Sequence, residues 1–299
     1  MPTHGFTLIE ETTVDELAGL ARLWRHDASG GRVLSFLNKD ENKVFGVSFR
    51  TPPADSTGVA HILEHSVLCG SEKYPVKEPF VELLKGSLQT FLNAFTYPDK
   101  TCYPVASANL HDFYNLMDVY LDAVFFPRIG KSIFQQEGWH LEPDEKTGDL
   151  IFKGVVYNEM KGAFSAPESV LSRYCLHALF PDTVYALESG GDPKDIPALR
   201  YDDFLAFHRG YYHPANARFF FWGDDPEPER LARLGATLDR FATTPRPDVA
   251  ASAISLQSPL GETRRLTVPF AASEGEKGMV VVNWLGPDVM DVQSGLAFR

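Results

Sequence analysis

The sequence is short of cysteine, of basic residues and of long apolar runs, and each shortage excludes a class of protein. Its three cysteines, Cys69, Cys102 and Cys175, are odd in number and widely spaced. They form neither a disulfide framework nor a CxxC metal pair, so a reducing compartment is expected. The net charge of −12, from 28 Lys and Arg against 40 Asp and Glu, argues against nucleic acid as a partner, because phosphate binding needs an excess of basic residues.

No apolar run approaches the ~20 residues needed to span a bilayer. The N-terminus also lacks the basic segment and apolar run of a secretory signal. A soluble, intracellular chain without a membrane partner is therefore expected. Its 299 residues, 44% apolar and 23% charged, suffice for one large or two smaller domains.

Two histidines and a glutamate lie within five residues of an otherwise apolar run, as His61-x-x-Glu64-His65. On an α-helix all three side chains share one face, with the histidines one turn apart. Two imidazoles so placed can bind one metal ion, and a carboxylate beside them can reach a water on that metal. The order His-x-x-Glu-His is typical of inverzincins. The pattern predicts a metal site, against the alternative of ordinary helix residues in a chain with nine histidines.

Catalytic zinc usually takes three protein ligands and keeps a fourth position for water. Glu159 is the best third ligand, because it lies in a helix-forming run and Gly162 after it allows close helix packing. Spacing alone leaves four other glutamates open, namely Glu78, Glu82, Glu137 and Glu142. His140 and His177 are interpreted as ordinary, partly buried histidines. A structural zinc site using Cys69 is disfavoured, because no second cysteine pairs with it.

Elsewhere the hydrophobic pattern alternates between strands and helices. Residues 6–9 predict a strand, followed by a polar segment with a weak helical period, and residues 32–37 and 43–49 predict a β-hairpin. Residues 89–97 and 101–107 predict paired strands, of which the second is irregular or at an edge because it contains Pro104. Further helices are predicted at 80–88, 110–126, 131–141, 154–162, 167–179, 201–211 and 227–241, with a strand at 216–223.

The small and polar residues after Phe241 indicate a linker. We expect residues 1–245 to form one α+β domain and residues 246–258 to be the linker. Residues 259–299 are expected to begin a second, similar domain whose remainder is absent, because the two strands predicted at 264–269 and 278–285 are too few for an independent sheet.

His61-x-x-Glu64-His65 followed by Asn158-Glu159-Met160-Lys161-Gly162 resembles the pitrilysin/insulysin superfamily of inverzincin zinc metallopeptidases. The resemblance is greatest to its presequence-protease branch, which includes falcilysin-like enzymes, since 94 positions separate His65 from Glu159. The run Leu92-Asn93-Ala94-Phe95-Thr96 is similar to the Asn-Ala-x-Thr edge strand of the family. The resemblance covers roughly residues 20–290.

The resemblance implies an α+β fold, with helices packed on an antiparallel-rich sheet. It implies one Zn²⁺ held by His61, His65 and Glu159, with Glu64 as the general base that activates a zinc-bound water. The implied activity is hydrolysis of short unfolded peptides, such as presequences or degradation peptides, in a bacterial cytoplasm or an organelle matrix. The peptide would add as a strand to a sheet edge. The edge residues are Asn93, Ala94, Phe95 and Thr96.

The sequence departs from the family in one position and leaves one alternative open. Many insulysin-like relatives carry a second glutamate seven positions before the ligand, but here that position is Phe152, so the carboxylate that orients a zinc histidine is unassigned. Family members enclose peptides between two homologous halves, so this chain is expected to bind zinc and to need a missing C-terminal half for full activity. The alternative is a non-catalytic zinc- or peptide-binding scaffold, against which the intact Glu64 argues.

Overall fold

The computed structural model describes residues 3–76, 79–270, 275, 278–286, 288 and 293. These residues form ten strands: β1 Phe6–Val14, β2 Gly19–His26, β3 Arg32–Leu37, β4 Lys43–Arg50, β5 Gln89–Leu92, β6 Phe95–Thr96, β7 Lys100–Ser107, β8 His140–Pro143, β9 Leu150–Lys153 and β10 Ala217–Gly223. They also form eight α-helices: α1 Val59–Val67, α2 Pro79–Gly86, α3 Leu110–Phe125, α4 Lys131–Glu137, α5 Val155–Ala163, α6 Pro167–Leu179, α7 Tyr201–Tyr211 and α8 Glu227–Leu238. No helix in this part of the chain is both long and apolar enough to cross a membrane.

Eight strands form one sheet in the order β1-β2-β3-β10-β4-β7-β5, with β6 also paired to β7. Only β3 and β10 run parallel among these pairs. Alternate side chains of the central strands, such as Phe45, Val47 and Phe219, are buried in the core with the apolar residues of α1, α3 and α8. Leu34 and Phe220, on the opposite face, are 41% and 37% exposed. The predicted α+β fold with an antiparallel-rich sheet is confirmed.

The hairpin predicted from β3 and β4 does not form, because β10 lies between them. Phe221 is opposite Ser35 of β3 on one side and Phe45 of β4 on the other. Both flanking strands therefore exchange their backbone hydrogen bonds with a strand that follows some 170 residues later in the chain. Sequence proximity predicted a local pair, whereas the alternating apolar side chains of β10 favour the central position.

The helical period expected after residue 9 is also wrong. Residues 6–14 and 19–26 are the paired strands β1 and β2, joined by one 3-10 turn at Asp15–Leu17. Most of β1 is exposed because it is the edge strand of the sheet. Its sequence therefore lacks the apolar alternation by which a half-buried strand is recognised.

Pro104 lies in β7, which is not an edge strand but has an irregular neighbour. On one side Pro104 is opposite Gly46 of β4. On the other side β5 ends at Leu92 and β6 begins at Phe95, and Asn93 N donates to Pro104 O at 3.3 Å. The missing N–H of the proline thus coincides with a break between two short strands.

The helix predicted at 131–141 ends at Glu137, and β8 begins at His140. Gly138 N donates to Phe134 O at 2.8 Å to close the helix. Gly154, with φ of +150°, lies against this turn, since a Cβ there would be 2.0 Å from Gly138 O. The two glycines bring the end of α4 and the start of α5 together beside α1.

Part of the predicted linker packs against the sheet domain. Arg246 Nη2 donates to Asp27 O at 2.8 Å, and buried Ser252 donates to Asn216 Oδ1 at 2.9 Å. The described residues of 264–269 and 278–285 form no strand, unlike the expectation for this region. The division into two domains at this segment stays a prediction.

Candidate metal centre

Helix α1 presents His61, Glu64 and His65 on one face, as the sequence predicts. Its opposite face, which includes Ile62 and Leu63, is fully buried in the core. The ligand atoms of the two histidines and the glutamate all lie within 4.8 Å of one another. Burial of these apolar residues fixes the rotation of α1 about its axis, so the side chains of His61, Glu64 and His65 point away from the core.

Glu159 reaches the same point from α5. Its Oε2 lies 3.8 Å from His61 Nε2 and 3.6 Å from His65 Nε2. The Glu159 side chain is 53% exposed, whereas those of His61 and His65 are 12% and 26% exposed. The three predicted ligands are thus brought together at a site that is buried on one side and open on the other.

Close packing of α5 does not depend on Gly162, contrary to expectation. Apart from its own stretch of helix, no heavy atom among the described residues lies within 4 Å of a Cβ built at Gly162. The close approach is made at Gly154, before the first turn of α5.

The other ring nitrogen of each histidine already has a partner. His61 Nδ1 lies 3.1 Å from Gly190 O, and His65 Nδ1 lies 3.3 Å from Glu137 Oε2. A carbonyl oxygen can only accept, so the His61 Nδ1 carries the proton and its Nε2 offers a lone pair. Two nitrogens and one carboxylate facing one point are the ligand set typical of catalytic zinc, so the residues fit the metal that the family resemblance implies.

Charge at the site favours a cation. Burial disfavours protonated His65, but the hydrogen bond to Glu137 and the charges of Glu64, Glu137 and Glu159 outweigh it and raise its pKa. Burial likewise opposes ionised Glu137, but hydrogen bonds from His65 and Gln136 outweigh it and lower its pKa. Negative charge thus lies on both sides of the His65 ring, with Glu137 at Nδ1 and Glu159 at Nε2.

Glu64 is 8% exposed and its carboxylate is held from the sheet edge. Thr96 Oγ1 in β6 donates to Glu64 Oε2 at 2.9 Å. Burial and, next, the charge of Glu64 raise the pKa of Tyr120, which keeps this phenol protonated. The side chain of Thr96 thus contacts the predicted general base, and substrate binding by this residue stays a prediction.

The remaining predicted substrate residues form the sheet edge. Phe95 and Thr96 pair with Cys102 and Thr101 of β7, while Asn93 O accepts from Tyr120 Oη at 3.2 Å. Within the described residues, the far side of β6 has no strand partner. The aromatic rings of Phe91, Phe95 and Tyr97 lie in succession along it, with centroids 6.4 and 6.0 Å apart.

The rival glutamates lie elsewhere or have another role. Glu82 lies on α2 and pairs with Lys85 at 3.7 Å, and Glu142 lies on β8 beside His140 at 3.4 Å. Glu78 lies outside the described residues. Glu137 contacts the rear nitrogen of His65 and not the face towards Glu159.

The contacts of Glu137 and Gly190 with the histidines were not predicted from the sequence. Both come from segments more than 70 positions after the residue they contact. Phe152, in the position where the family resemblance implies a glutamate, is 41% exposed and packs against Trp139 and Tyr157. Cys69 Sγ lies 3.7 Å from Glu137 Oε1 and is no part of the ligand set.

Comparison with known proteins agrees with this fold. Residues 48–146 match the family model "Insulinase (Peptidase family M16)". The chain is 55% identical over 300 residues to presequence protease 1, chloroplastic/mitochondrial, of Arabidopsis thaliana, covering 98% of this chain and 28% of that protein. It is 47% identical to protein HypA of Clostridium perfringens, covering 98% and 30%, and 45% identical to the mitochondrial presequence protease of Xenopus laevis, covering 96% and 28%. The chain thus spans less than a third of the length of these relatives.

Two solved structures share the fold. Pitrilysin superposes with a TM-score of 0.63 at 20% identity, over 79% of this chain and 24% of that chain. A peptidase M16 inactive domain from Pseudomonas fluorescens superposes with a TM-score of 0.62 at 16% identity, over 80% and 54%. With motif, family model, relatives and fold in agreement, this chain belongs to the pitrilysin/insulysin superfamily of M16 peptidases, in its presequence-protease branch.

Proposed function

We propose that this chain carries the zinc centre of a metalloendopeptidase, with His61, His65 and Glu159 as ligands and Glu64 as general base. The carrying observation is the convergence of His61 Nε2 and His65 Nε2 on Glu159 Oε2, at 3.8 and 3.6 Å. A metal site that only stabilised the fold would not need Glu64, whose buried carboxylate lies beside the ligand atoms of both histidines.

Bound Zn²⁺ supplies a Lewis acid that polarises the scissile carbonyl and lowers the pKa of a water. Glu64 accepts a proton from the attacking water and delivers it to the leaving amine. Thr96 holds one oxygen of this carboxylate at 2.9 Å, which leaves the other oxygen for the proton. The buried side of α1 fixes both histidines and Glu64 before substrate arrives, so little reorganisation is needed.

The substrate in this proposal is an unfolded peptide in extended conformation. It pairs with the free side of β6, so backbone hydrogen bonds supply affinity with little demand on sequence. The same strand carries Thr96, which connects the peptide-binding edge to Glu64. The ring of Phe91 is 44% exposed and that of Tyr97 is 42% exposed, and both are available to contact substrate side chains.

Two measurements test the proposal. The purified chain should bind one zinc ion, and His61→Ala or Glu159→Ala should abolish tight binding. In the full-length gene product, chelator should stop cleavage of a quenched peptide, and Glu64→Gln should stop it with zinc still bound. Cleavage that survives Glu64→Gln would exclude Glu64 as the base.

The second candidate is a non-catalytic zinc- or peptide-binding scaffold. An M16 domain described as inactive shares this fold at a TM-score of 0.62, so the fold alone does not decide activity. A scaffold is supported if the full-length product binds zinc and extended peptides but cleaves none of them.

The partners and compartment are also proposed from the relatives. Since the relatives are more than three times longer than the matched region, we propose that full activity needs a further half of the protein to enclose the peptide. Two relatives are named for organelles and one is bacterial, which supports an organelle matrix or a bacterial cytoplasm. Graded-length peptides offered to the chain alone and to the full-length product test the need for enclosure.

A further inference from the structure

The carbonyl that faces His61 belongs to a short segment after α6, the glycine loop of residues 188–192. His61 Nδ1 lies 3.1 Å from Gly190 O in this loop. The backbone of the loop also lies against Gly58, the N-cap of α1, since a Cβ built at Gly58 would be 2.7 Å from Gly191 Cα. The position of the glycine loop therefore determines whether His61 keeps its partner.

Backbone hydrogen bonds attach both ends of the glycine loop to the segment that leads into α1. Glu188 N donates to Ser56 Oγ at 3.1 Å, and Asp192 N donates to Ser56 O at 2.8 Å. Gly191 N donates to Glu188 O at 3.0 Å, which closes the loop as a turn. The backbone at the two ends thus faces the start of α1, while the side chains of Glu188 and Asp192 contact α6.

Arg173 of α6 pairs with both of these side chains. Its Nη2 donates to Asp192 Oδ2, and its Nε lies 3.9 Å from Glu188 Oε2. The Arg173 and Asp192 side chains are 21% and 12% exposed, so their ion pair is partly shielded from water and is stronger than a pair on the open surface. Asp192 Oδ1 accepts from Lys194 N at 2.9 Å, which leaves Oδ2 for the guanidinium.

The guanidinium of Arg173 also contacts the helix that supplies Glu159. Its Cζ lies 4.6 Å from the centroid of the Phe164 ring, and Phe164 is the C-cap of α5. A guanidinium over an aromatic face is attracted by the quadrupole of the ring. One side chain of α6 therefore connects the end of α5 with the loop that holds His61.

We propose that Arg173 is a positioning residue of the metal centre, which keeps the Gly190 carbonyl on His61 Nδ1 by anchoring the glycine loop through Asp192. With the carbonyl in place, Nδ1 carries the proton and Nε2 keeps its lone pair for a metal. A displaced loop leaves the ring to exchange between its two tautomers, only one of which presents Nε2 as a ligand. The inference rests on the proposed zinc site, but the tautomer of His61 is a property of the metal-free chain.

The first test determines the tautomer of His61 in the zinc-free chain from ¹H–¹⁵N NMR spectra of the histidine rings, at about pH 8, where an ordinary imidazole is neutral. The His61 signals are assigned by their loss in His61→Ala. The wild type should show the Nδ1–H tautomer, whereas Arg173→Met, which keeps a long side chain but removes the guanidinium, should show a mixture. Arg173→Lys keeps the charge and should restore most of the wild-type pattern. The Nδ1–H tautomer alone in folded Arg173→Met would overturn the inference.

The second test measures zinc affinity by competition with a chromogenic chelator. Groups that orient a metal ligand typically contribute about 10–100-fold to affinity, and since Arg173 acts from one residue further out, Arg173→Met should weaken zinc binding about tenfold. The matched control is Arg200→Met, which removes an exposed guanidinium 3.7 Å from Asp202 and should bind zinc as tightly as the wild type. Wild-type affinity in folded Arg173→Met would contradict the positioning role.

Thermal unfolding of the zinc-free proteins shows whether each variant is folded. Should Arg173→Met not fold, Asp192→Asn decides, because it keeps the shape of the side chain and removes the charge that Arg173 binds. A mixture of His61 tautomers and weaker zinc binding in this variant support the inference, and the wild-type tautomer and affinity overturn it.

Failure of the inference differs from failure of the proposed function. If the wild-type chain binds no zinc but the His61 tautomer responds to Arg173→Met, the metal centre is wrong and the anchoring of the loop stands. If the chain binds zinc and the Arg173 variants change neither tautomer nor affinity, only the positioning role is wrong.

Discussion

Thr96 donates a hydrogen bond to Glu64 across 2.9 Å, and so joins the last strand of the sheet edge to the buried carboxylate of α1. The hydroxyl belongs to a strand of two residues whose other side is available to an extended peptide. In the proposed function, peptide binding at the edge and placement of the general base therefore depend on the same residue.

Removing this hydroxyl should slow catalysis more than it weakens binding. In the full-length product, Thr96→Val should lower kcat about tenfold with little change in KM, because one hydrogen bond to a charged group is lost while the β-branched shape remains. Thr96→Ser should retain most of the rate. Steady-state kinetics with a quenched peptide measure both, and a purely higher KM in the valine variant would argue for substrate contact only.

Zinc should stabilise the isolated chain. At a free zinc concentration of about 100 Kd, binding to the folded state adds about 2.7 kcal/mol, which raises Tm by roughly 4 °C for a chain of this size. Glu159→Gln should remove most of that rise, whereas Glu82→Gln, on the exposed surface of α2, should keep it. A full zinc-dependent rise in the Glu159 variant would mean that the third ligand is another residue.

The glycine contact between α4 and α5 should tolerate no side chain. Gly154→Ala places a Cβ about 2.0 Å from Gly138 O at a φ of +150°, and should destabilise the fold by at least about 2 kcal/mol. Gly162→Ala, in the same helix and without a close neighbour among the described atoms, should be neutral or stabilising by up to about 1 kcal/mol. Urea unfolding measures the free energy of unfolding of both variants. Equal values would contradict the close contact between Gly154 and Gly138.

Stability should fall as pH is lowered towards 5, in part through His208. Burial lowers the pKa of this histidine to about 4, and its Nε2 lies 2.9 Å from Val124 O. The unfolded chain, with a pKa near 6.5, binds more protons between pH 4 and 6.5, so stability rises with pH across this window and is constant above it.

Unfolding free energies measured in chelator should therefore be lower at pH 5 than at pH 7.5, with up to about 2 kcal/mol of the difference from His208. Burial also lowers the pKa of His26 and His213, which adds to the same trend. His208→Gln keeps a donor for Val124 and should flatten the dependence. An unchanged slope in this variant would show that folding does not lower the pKa of His208.

The sequence predicted what local patterns encode. The motif on α1 is set by helical periodicity, so His61, Glu64 and His65 were expected on one face. The start of α3 is encoded just as locally, because the short polar side chain of Asn109 accepts from Asp112 N at 3.0 Å. Glu159 was predicted as the third ligand because it lies in a helix-forming run, and the family resemblance supported the same prediction. Helical periodicity and short sequence motifs can each be recognised within one segment of the chain.

Contacts between distant segments were not predictable in the same way. The partners of the two histidines, Gly190 and Glu137, meet them only through packing of α4 and a glycine loop against α1. Every residue has a backbone carbonyl, so the sequence does not indicate that the carbonyl of Gly190 contacts His61. Glu137 was one of four rival glutamates that spacing alone could not distinguish. The place of β10 was missed for the same reason, since strand order is decided by the whole sheet.

The central position of β10 has a consequence for synthesis of the chain. β3 and β4 are complete by residue 50, but the strand that joins them begins at residue 217. At translation rates of 5–20 residues per second the two strands wait roughly 10–30 s for it. During that time they are free to pair with each other in a hairpin that must open again, so newly made chain should depend on chaperone protection until its residues beyond 223 have left the ribosome.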